Sequence, residues 1–257
     1  MGKKNFRNYE NNTEQYEFYK NMYKNQTINL VKKKKEIYEN STRIKMNIQK
    51  AISLLDDFRD PSDPDISSSN LIHAYQTAER IRKKYPDNKE FQIIGLIHDL
   101  GKILFLFNEE NWSIVGDTYV LGCEFPKSIV YYELLKNIPD YKKYNKLGIY
   151  KEKCGIEKLI LSYGHDEYLY NILKKNKNHK ISRKYMNIIR FHSFYPWHTH
   201  NEYSHFMIQK DYQILEDIKK FNEFDLYSKY DDNKITDEIK KYYNDLLNDF
   251  FNGELEW

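Results

Sequence analysis

Residues 91–107, FQIIGLIHDLGKILFLF, form the most apolar stretch of the chain. Ile93, Ile94, Leu96, Ile97, Leu100, Ile103 and Leu104 surround nearly the whole of a helix, so the segment is predicted to be central and buried. His98 and Asp99 interrupt it. A carboxylate or imidazole in an apolar interior costs several kcal/mol or more when it has no partner. A metal ion compensates both at once, so the pair predicts a metal site in the core. Lys102 follows three residues after Asp99 and four after His98, on the same helical face one turn along. A lysine held there can hydrogen-bond an oxygen of a bound substrate. The alternative is an Asp99–Lys102 ion pair with no metal, although such pairs belong more often to exposed faces.

The remaining elements are predicted to be helical. Residues 13–40 lack Pro and Gly and predict one long polar helix. Ile44, Ile48, Ile52 and Leu55 predict an amphipathic helix over 42–58. RDPSDPDISSSN (59–70) is a loop by composition, with Asn70 as N-cap of a helix that Pro86 ends. Asp87 or Asn88 caps the helix carrying His98-Asp99, and 106–126 reads as a long functional loop. Further helices are expected near 127–137, 155–176, 182–194, 210–228 and 235–251, with a Pro-broken loop at 194–201. No alternating β-pattern of useful length occurs, and Gly is scarce at nine residues. The prediction is an all-α, single-domain chain.

Composition narrows the function. A hydrophobic fraction of 40% and an aromatic fraction of 16%, with 24 Tyr, argue against disorder. Forty-one basic and 38 acidic residues nearly balance, so nucleic acid is not an expected partner. The run Lys32–Lys35 is the one dense basic patch and reads as a solvated helix face, with anion binding as its alternative. Cys123 and Cys154 form no CxxC, and no 18-residue apolar stretch occurs, so the chain is expected to be reduced, cytoplasmic and without a membrane partner.

Other polar residues share the setting of His98-Asp99. His73 lies at the edge of the Leu71, Ala74, Ala78 and Ile81 stripe. His165 interrupts LILSYGHDEYLYNIL, where the neighbouring Asp166 reads equally as a ligand, an acceptor for an imidazole N–H, or a solvent-exposed group. His192 ends the apolar segment MNIIRF, and Asp225 is flanked by Phe221, Phe224 and Leu226. His179, His198, His200 and His205 lie in polar segments and read as surface or loop histidines. Four histidines and two aspartates on five helices, with no cysteine, favour a hard or borderline metal. Six protein ligands exceed what one catalytic metal with open positions takes. They suit two metals bridged by a carboxylate, and Asp99 is the natural bridge because it adjoins another ligand.

The pattern H…HD…D resembles the HD-domain superfamily, an all-α metal scaffold. DPSDPDISSSNLIHAYQTAERIRKKYPD (60–87), IIGLIHDLGKIL (93–104), NWSIVGDTYVLGC (111–123), YGHDEYLYNILKKNK (163–177), RFHSFYPWHT (190–199) and FNEFDLYSK (221–229) together resemble the myo-inositol oxygenase family more narrowly. With FRNY (6–9) the resemblance spans nearly the whole chain. It implies an HD-domain-like helical bundle with a buried di-metal site, formed by a catalytic domain over 41–257 and an N-terminal segment, 1–40, that closes over the site.

The resemblance further implies a non-haem enzyme with two iron ions, mixed-valent Fe(II)/Fe(III), and no organic cofactor. Such an enzyme cleaves the C1–C6 bond of myo-inositol with O2 to give D-glucuronate and water. One iron takes His73, His98, Asp99 and Asp225; the other takes Asp99, His165 and His192; Asp166 is no ligand. The residues facing the polyol are Asp60, Lys102, Gly116, Asp117, Ser193 and Lys229, with Arg7 of FRNY closing over the site and Lys102 acting in catalysis. A polyol offers many hydroxyls and no charge, so its recognition needs such a ring of donors and acceptors. The partners expected are this small molecule and O2, with the chain a monomer. A metal-dependent phosphohydrolase and a non-catalytic metal-binding scaffold are the alternative readings of the same ligands. No GxGxxG occurs, in keeping with a reaction that takes all its electrons from the substrate.

Overall fold

A computed structural model of the chain describes residues 13–62, 69–226 and 235–257. The chain begins with α1 (Glu14–Asn25) and α2 (Ile28–Glu39) in place of the single helix expected over 13–40. Gln26 turns extended between them, and Thr27 caps α2 by accepting from Leu30 N–H. A distant partner accounts for the break. The Gln26 amide donates to Tyr163 O (2.7 Å) and accepts from Tyr163 N–H (2.9 Å), so a side chain mimics a strand against the segment leading into His165.

The pattern expected to make one helix over 42–58 is divided as well. β1 (Lys45–Asn47) precedes α3 (Ile48–Ser53) and a 3-10 turn at Leu54–Asp57. Ile48, Ile52 and Leu55 are buried, but Ile44 is 42% exposed. β1 pairs antiparallel with β2 (Glu254–Glu256), with Met46 opposite Leu255. These short strands interrupt an otherwise helical protein.

Ser69, not Asn70, caps α4 (Asn70–Lys84), accepting from Ile72 N–H. Asn88 caps α5 (Lys89–Ile97) as expected. These two helices pack closely: a Cβ on Gly95 would stand 2.8 Å from Ala78 Cα. His98 is the C-cap of α5, and the chain tightens through Asp99 into a 3-10 helix, Leu100–Phe107. The apolar stretch read as one helix is therefore two kinds of helix, with the polar pair at their junction.

The helix expected near 127–137 reduces to α6 (Tyr132–Leu135) among turns. That expected at 155–176 begins later: residues 156–158 are a 3-10 turn, Leu161 bridges Val120, and α7 (His165–Lys175) starts on the histidine itself. α8 (Arg183–Phe191), the short α9 (Tyr195–His198), α10 (Gln209–Asp225) and α11 (Asp237–Phe250) complete the described chain. α5, α7, α8 and α10 pack around the core, with Ile93, Ile97, Leu169, Ile189 and Phe221 buried between them. Among the described residues no helix is long and apolar enough to cross a membrane.

The basic run is not simply a solvated face. Lys34 pairs with Glu109 and Lys35 with the buried Glu167, so half the run fastens α2 to the body. Glu109 also accepts from Tyr38 Oη and from Ser113 Oγ. Burial pushes the Glu109 carboxyl up, but Lys34, Tyr38 and Ser113 outweigh it and hold the group below its ordinary value. The stabilisation this confers is complete above an unfolded-chain value of about 4.5 and is lost as pH falls through the lower folded value. Thermal melts of Glu109→Gln are therefore expected to show a lower Tm than the parent near neutrality. The gap should narrow steadily below about pH 4.5, and a gap independent of pH would contradict this account.

Candidate metal centre

The six polar residues predicted from their apolar settings meet in one place. His73 comes from α4, His98 and Asp99 from the junction after α5, His165 from the first position of α7, His192 from the C-cap of α8, and Asp225 from the last residue of α10. All six are buried. Ligand atoms of His73, His98 and Asp99 lie within 4.8 Å of one another, as do those of Asp99, His165 and His192. Asp225 Oδ1 stands 2.9 Å from His73 Nε2 and 3.3 Å from His98 Nε2. The two oxygens of Asp99 face different groups: Oδ1 lies 3.1 Å from His165 Nε2 and 3.4 Å from His192 Nε2, while Oδ2 lies 3.5 Å from His98 Nε2 and 2.9 Å from Lys102 Nζ.

Three histidines are oriented by the backbone. His98 Nδ1 lies 2.9 Å from Gly95 O and His192 Nδ1 2.7 Å from Ile189 O, in each case the carbonyl three residues earlier. His165 Nδ1 lies 2.9 Å from Ile114 O, a carbonyl that also accepts from His165 N–H. A carbonyl only accepts, so each Nδ1 carries a proton and Nε2 is the atom each ring turns into the site.

This arrangement tests whether a metal fits. His165 Nε2 and His192 Nε2 stand 3.1 Å apart, and two lone pairs at that distance repel unless a positive charge lies beside them. His98 Nε2 is buried without a well-formed hydrogen bond. A proton can serve one such pair, whereas a cation serves nitrogens and carboxylates converging from several elements together. Electrostatics point the same way. Burial opposes charge on His98 and His165, but the facing carboxylates outweigh it and raise both pKa values. Burial likewise opposes ionisation of Asp99 and Asp225, yet Lys102 with the histidines around Asp99, and His98 with His73 around Asp225, hold both well below the carboxylate range. Carboxylates that favour positive charge on these imidazoles favour a cation among them as well. The donor set, imidazole and carboxylate without thiolate, fits a hard or borderline ion.

The Asp99–Lys102 ion pair foreseen as the alternative for Lys102 is formed. The lysine ammonium is buried, and Nζ lies 2.9 Å from each of Asp99 Oδ2, Asp60 Oδ2 and Asn70 Oδ1. The ion pair with Asp99 thus sits beside the candidate ligands, on no exposed face. Asp117 and Ser193 are buried, and Ser193 O accepts from Thr118 N–H (2.9 Å), which ties the Gly116–Asp117 segment to the turn after His192. Tyr19 of α1 lies 3.2 Å from Asp117 Oδ1, and a Cβ on Gly116, whose φ is +101°, would meet Met22 and Phe18 of the same helix. Arg7 and Lys229 lie outside the described residues.

Some participants were not foreseen. Asn70, expected to cap a helix, holds Lys102 and donates to Phe58 O. Asp166, for which exposure was one reading, is buried and accepts from Thr118 Oγ1 (2.7 Å) and Glu167 N–H. His198, read as a surface or loop histidine, is 2% exposed, with Nε2 2.9 Å from His192 O. Only the i−3 carbonyls of His98 and His192 had a local signal, since a histidine ending a helix has that acceptor within reach. The Ile114 and Asn70 contacts join residues 51 and 32 positions apart.

A helical core with histidine–aspartate clusters that could hold metal, beside a buried lysine, defines a helical metal-site scaffold. A family model described as myo-inositol oxygenase matches residues 12–257. The inositol oxygenase of Danio rerio is 42% identical over 262 residues, covering 99% of this chain and 94% of that protein. That of Dictyostelium discoideum is 44% identical, covering 98% and 89%, and that of Homo sapiens is 40% identical, covering 93% and 85%. The chain belongs to the myo-inositol oxygenase family.

Proposed function

We infer that this enzyme binds two iron ions and uses O2 to cleave the C1–C6 bond of myo-inositol, giving D-glucuronate and water. Family membership supports the reaction, and the observation that carries the two-ion reading is the placement of Asp99. One of its oxygens faces His165 and His192, while the other faces His98 and Lys102. The balance closes without a further reductant: C6H12O6 and O2 give C6H10O7 and H2O, with all four electrons drawn from the polyol.

His73, His98, Asp99 and Asp225 would hold one ion and Asp99, His165 and His192 the other. Iron bound there supplies the Lewis acid and the one-electron chemistry that a reaction with O2 needs. Lys102 contributes a fixed positive charge where a deprotonated polyol oxygen gains negative charge. Its three donors are engaged by Asp60, Asn70 and Asp99. A polyol oxygen displaces the Asn70 amide at least cost, because that exchange leaves both ion pairs intact. Asp60, Asp117 and Ser193, with Lys229 and Arg7, supply the donors and acceptors that orient the ring, and Gly116 lets α1 close against this wall. A site built on such pairs rejects analogues that lack a hydroxyl.

A phosphohydrolase reading requires several cations free for phosphate. Lys102 is matched by two carboxylates, and Arg190 is spent on Glu167. Iron-loaded, partly reduced protein is expected to consume O2 on addition of myo-inositol, one molecule per glucuronate formed. No O2 uptake would defeat the reading, and phosphate release from a nucleotide panel without O2 uptake would select hydrolysis.

A further inference from the structure

His165 opens α7 and His192 closes α8, and sequence proximity does nothing to hold them together. Their Nε2 atoms nevertheless stand 3.1 Å apart. A second contact joins the same two helices two residues from each histidine. Arg190 Nε donates to Glu167 Oε2 at 2.7 Å and Nη2 to Oε1 at 3.3 Å, a two-point contact between side chains that are 7% and 2% exposed. Lys35 of α2 also pairs with Glu167, Arg190 Nη1 reaches Glu157 O, and the guanidinium lies over Tyr170 at 4.7 Å.

Two residues along a helix is a rotation of about 200°. Glu167 therefore leaves α7 nearly opposite His165, and Arg190 leaves α8 nearly opposite His192. Contacts on both sides of each helix fix its rotation about its own axis, which packing of smooth apolar side chains controls poorly. The consequence for a ligand is large. At roughly 5–6 Å from the axis, a 10° rotation moves an atom by about 1 Å, whereas metal–ligand distances tolerate about 0.2 Å. A buried Arg–Glu pair loses much of its attraction to desolvation, so its value lies more in geometry than in stability.

We propose that the Glu167–Arg190 pair is the positioning clamp of the His165–His192 half of the centre, setting the affinity of the ion held there and leaving the ion at His73, His98, Asp99 and Asp225 unaffected. This rests on the two-ion reading above. The test is anaerobic Fe(II) titration of the full chain, reading stoichiometry by metal analysis and stepwise affinity by calorimetry, with helical content checked by circular dichroism. The parent should bind two ions. Arg190→Met should bind one ion as tightly as the parent and the second about 10–100-fold more weakly, the range typical of supporting groups around a metal. Arg190→Lys should recover part of the loss. If Arg190→Met does not fold, Glu167→Gln, which keeps shape and packing, is read in the same way. Variants that bind both ions with parental affinity, or lose both equally, overturn the clamp while the two-ion reading stands. A parent that binds a single ion overturns both.

Discussion

On the two-ion reading proposed above, Asp99→Asn is expected to abolish binding of the ion at His165 and His192, to weaken the other, and to lower O2 uptake at least about a thousand-fold. Lewis-acid stabilisation is worth several kcal/mol, and each 1.36 kcal/mol is a factor of ten in rate. The substitution keeps the volume of a residue that is 5% exposed, so it changes charge and coordination with little change in packing. Asp99 faces ligands of both clusters, and without its carboxylate His165 and His192 lose the third member of their group. Lys102 retains Asp60 and Asn70, so the lysine stays in place and the loss is assignable to the metals. Metal analysis and an O2 electrode measure both effects. An Asp99→Asn protein with two ions and parental O2 uptake would remove Asp99 from the centre. The comparison with Arg190→Met is informative, because one substitution should disturb both ions and the other a single ion.

Gly101→Ala should be strongly disruptive in the described core. A Cβ there would lie 1.9 Å from His165 O, 2.7 Å from His165 C and 3.0 Å from its Cα. These are backbone atoms of the first residue of α7, so no flexible side chain can move aside. The 3-10 helix and α7 must part by about 1 Å, and overpacking of this kind costs about 3 kcal/mol or more. For a chain of this size that is a fall in Tm of roughly 6–12 °C. The displaced residue is itself a candidate ligand, so the ion at His165 and His192 should be lost with the stability. Thermal melts with metal analysis check both, and an unchanged Tm would show that the two segments are not in contact as described. Gly101 thus serves the centre by having no side chain, a role that no donor count in the sequence reveals.

The sequence carried the centre unusually far. His98, Asp99, His165, His192 and Asp225 broke apolar patterns and His73 stood at the edge of one, and burying such groups is costly whatever the fold, so their convergence was inferable before any coordinates. Element boundaries were less legible. The helix expected over 13–40 is broken by Gln26 pairing with Tyr163, 137 residues away, and that expected over 155–176 starts at His165 because the preceding residues run along Val120. His198 looked like a loop histidine in a polar segment, but the turn after α8 folds it back on His192 O.

The helical class and the set of residues too polar for their surroundings were legible along the chain, because periodicity and desolvation are local properties. Tertiary structure alone decided which oxygen of Asp99 faces which histidines, that Lys102 is shared among Asp60, Asn70 and Asp99, and that Glu167 meets Arg190 behind two candidate ligands. Those are distances between segments far apart in sequence. They are set by how helices pack and rotate against one another, which no single segment encodes.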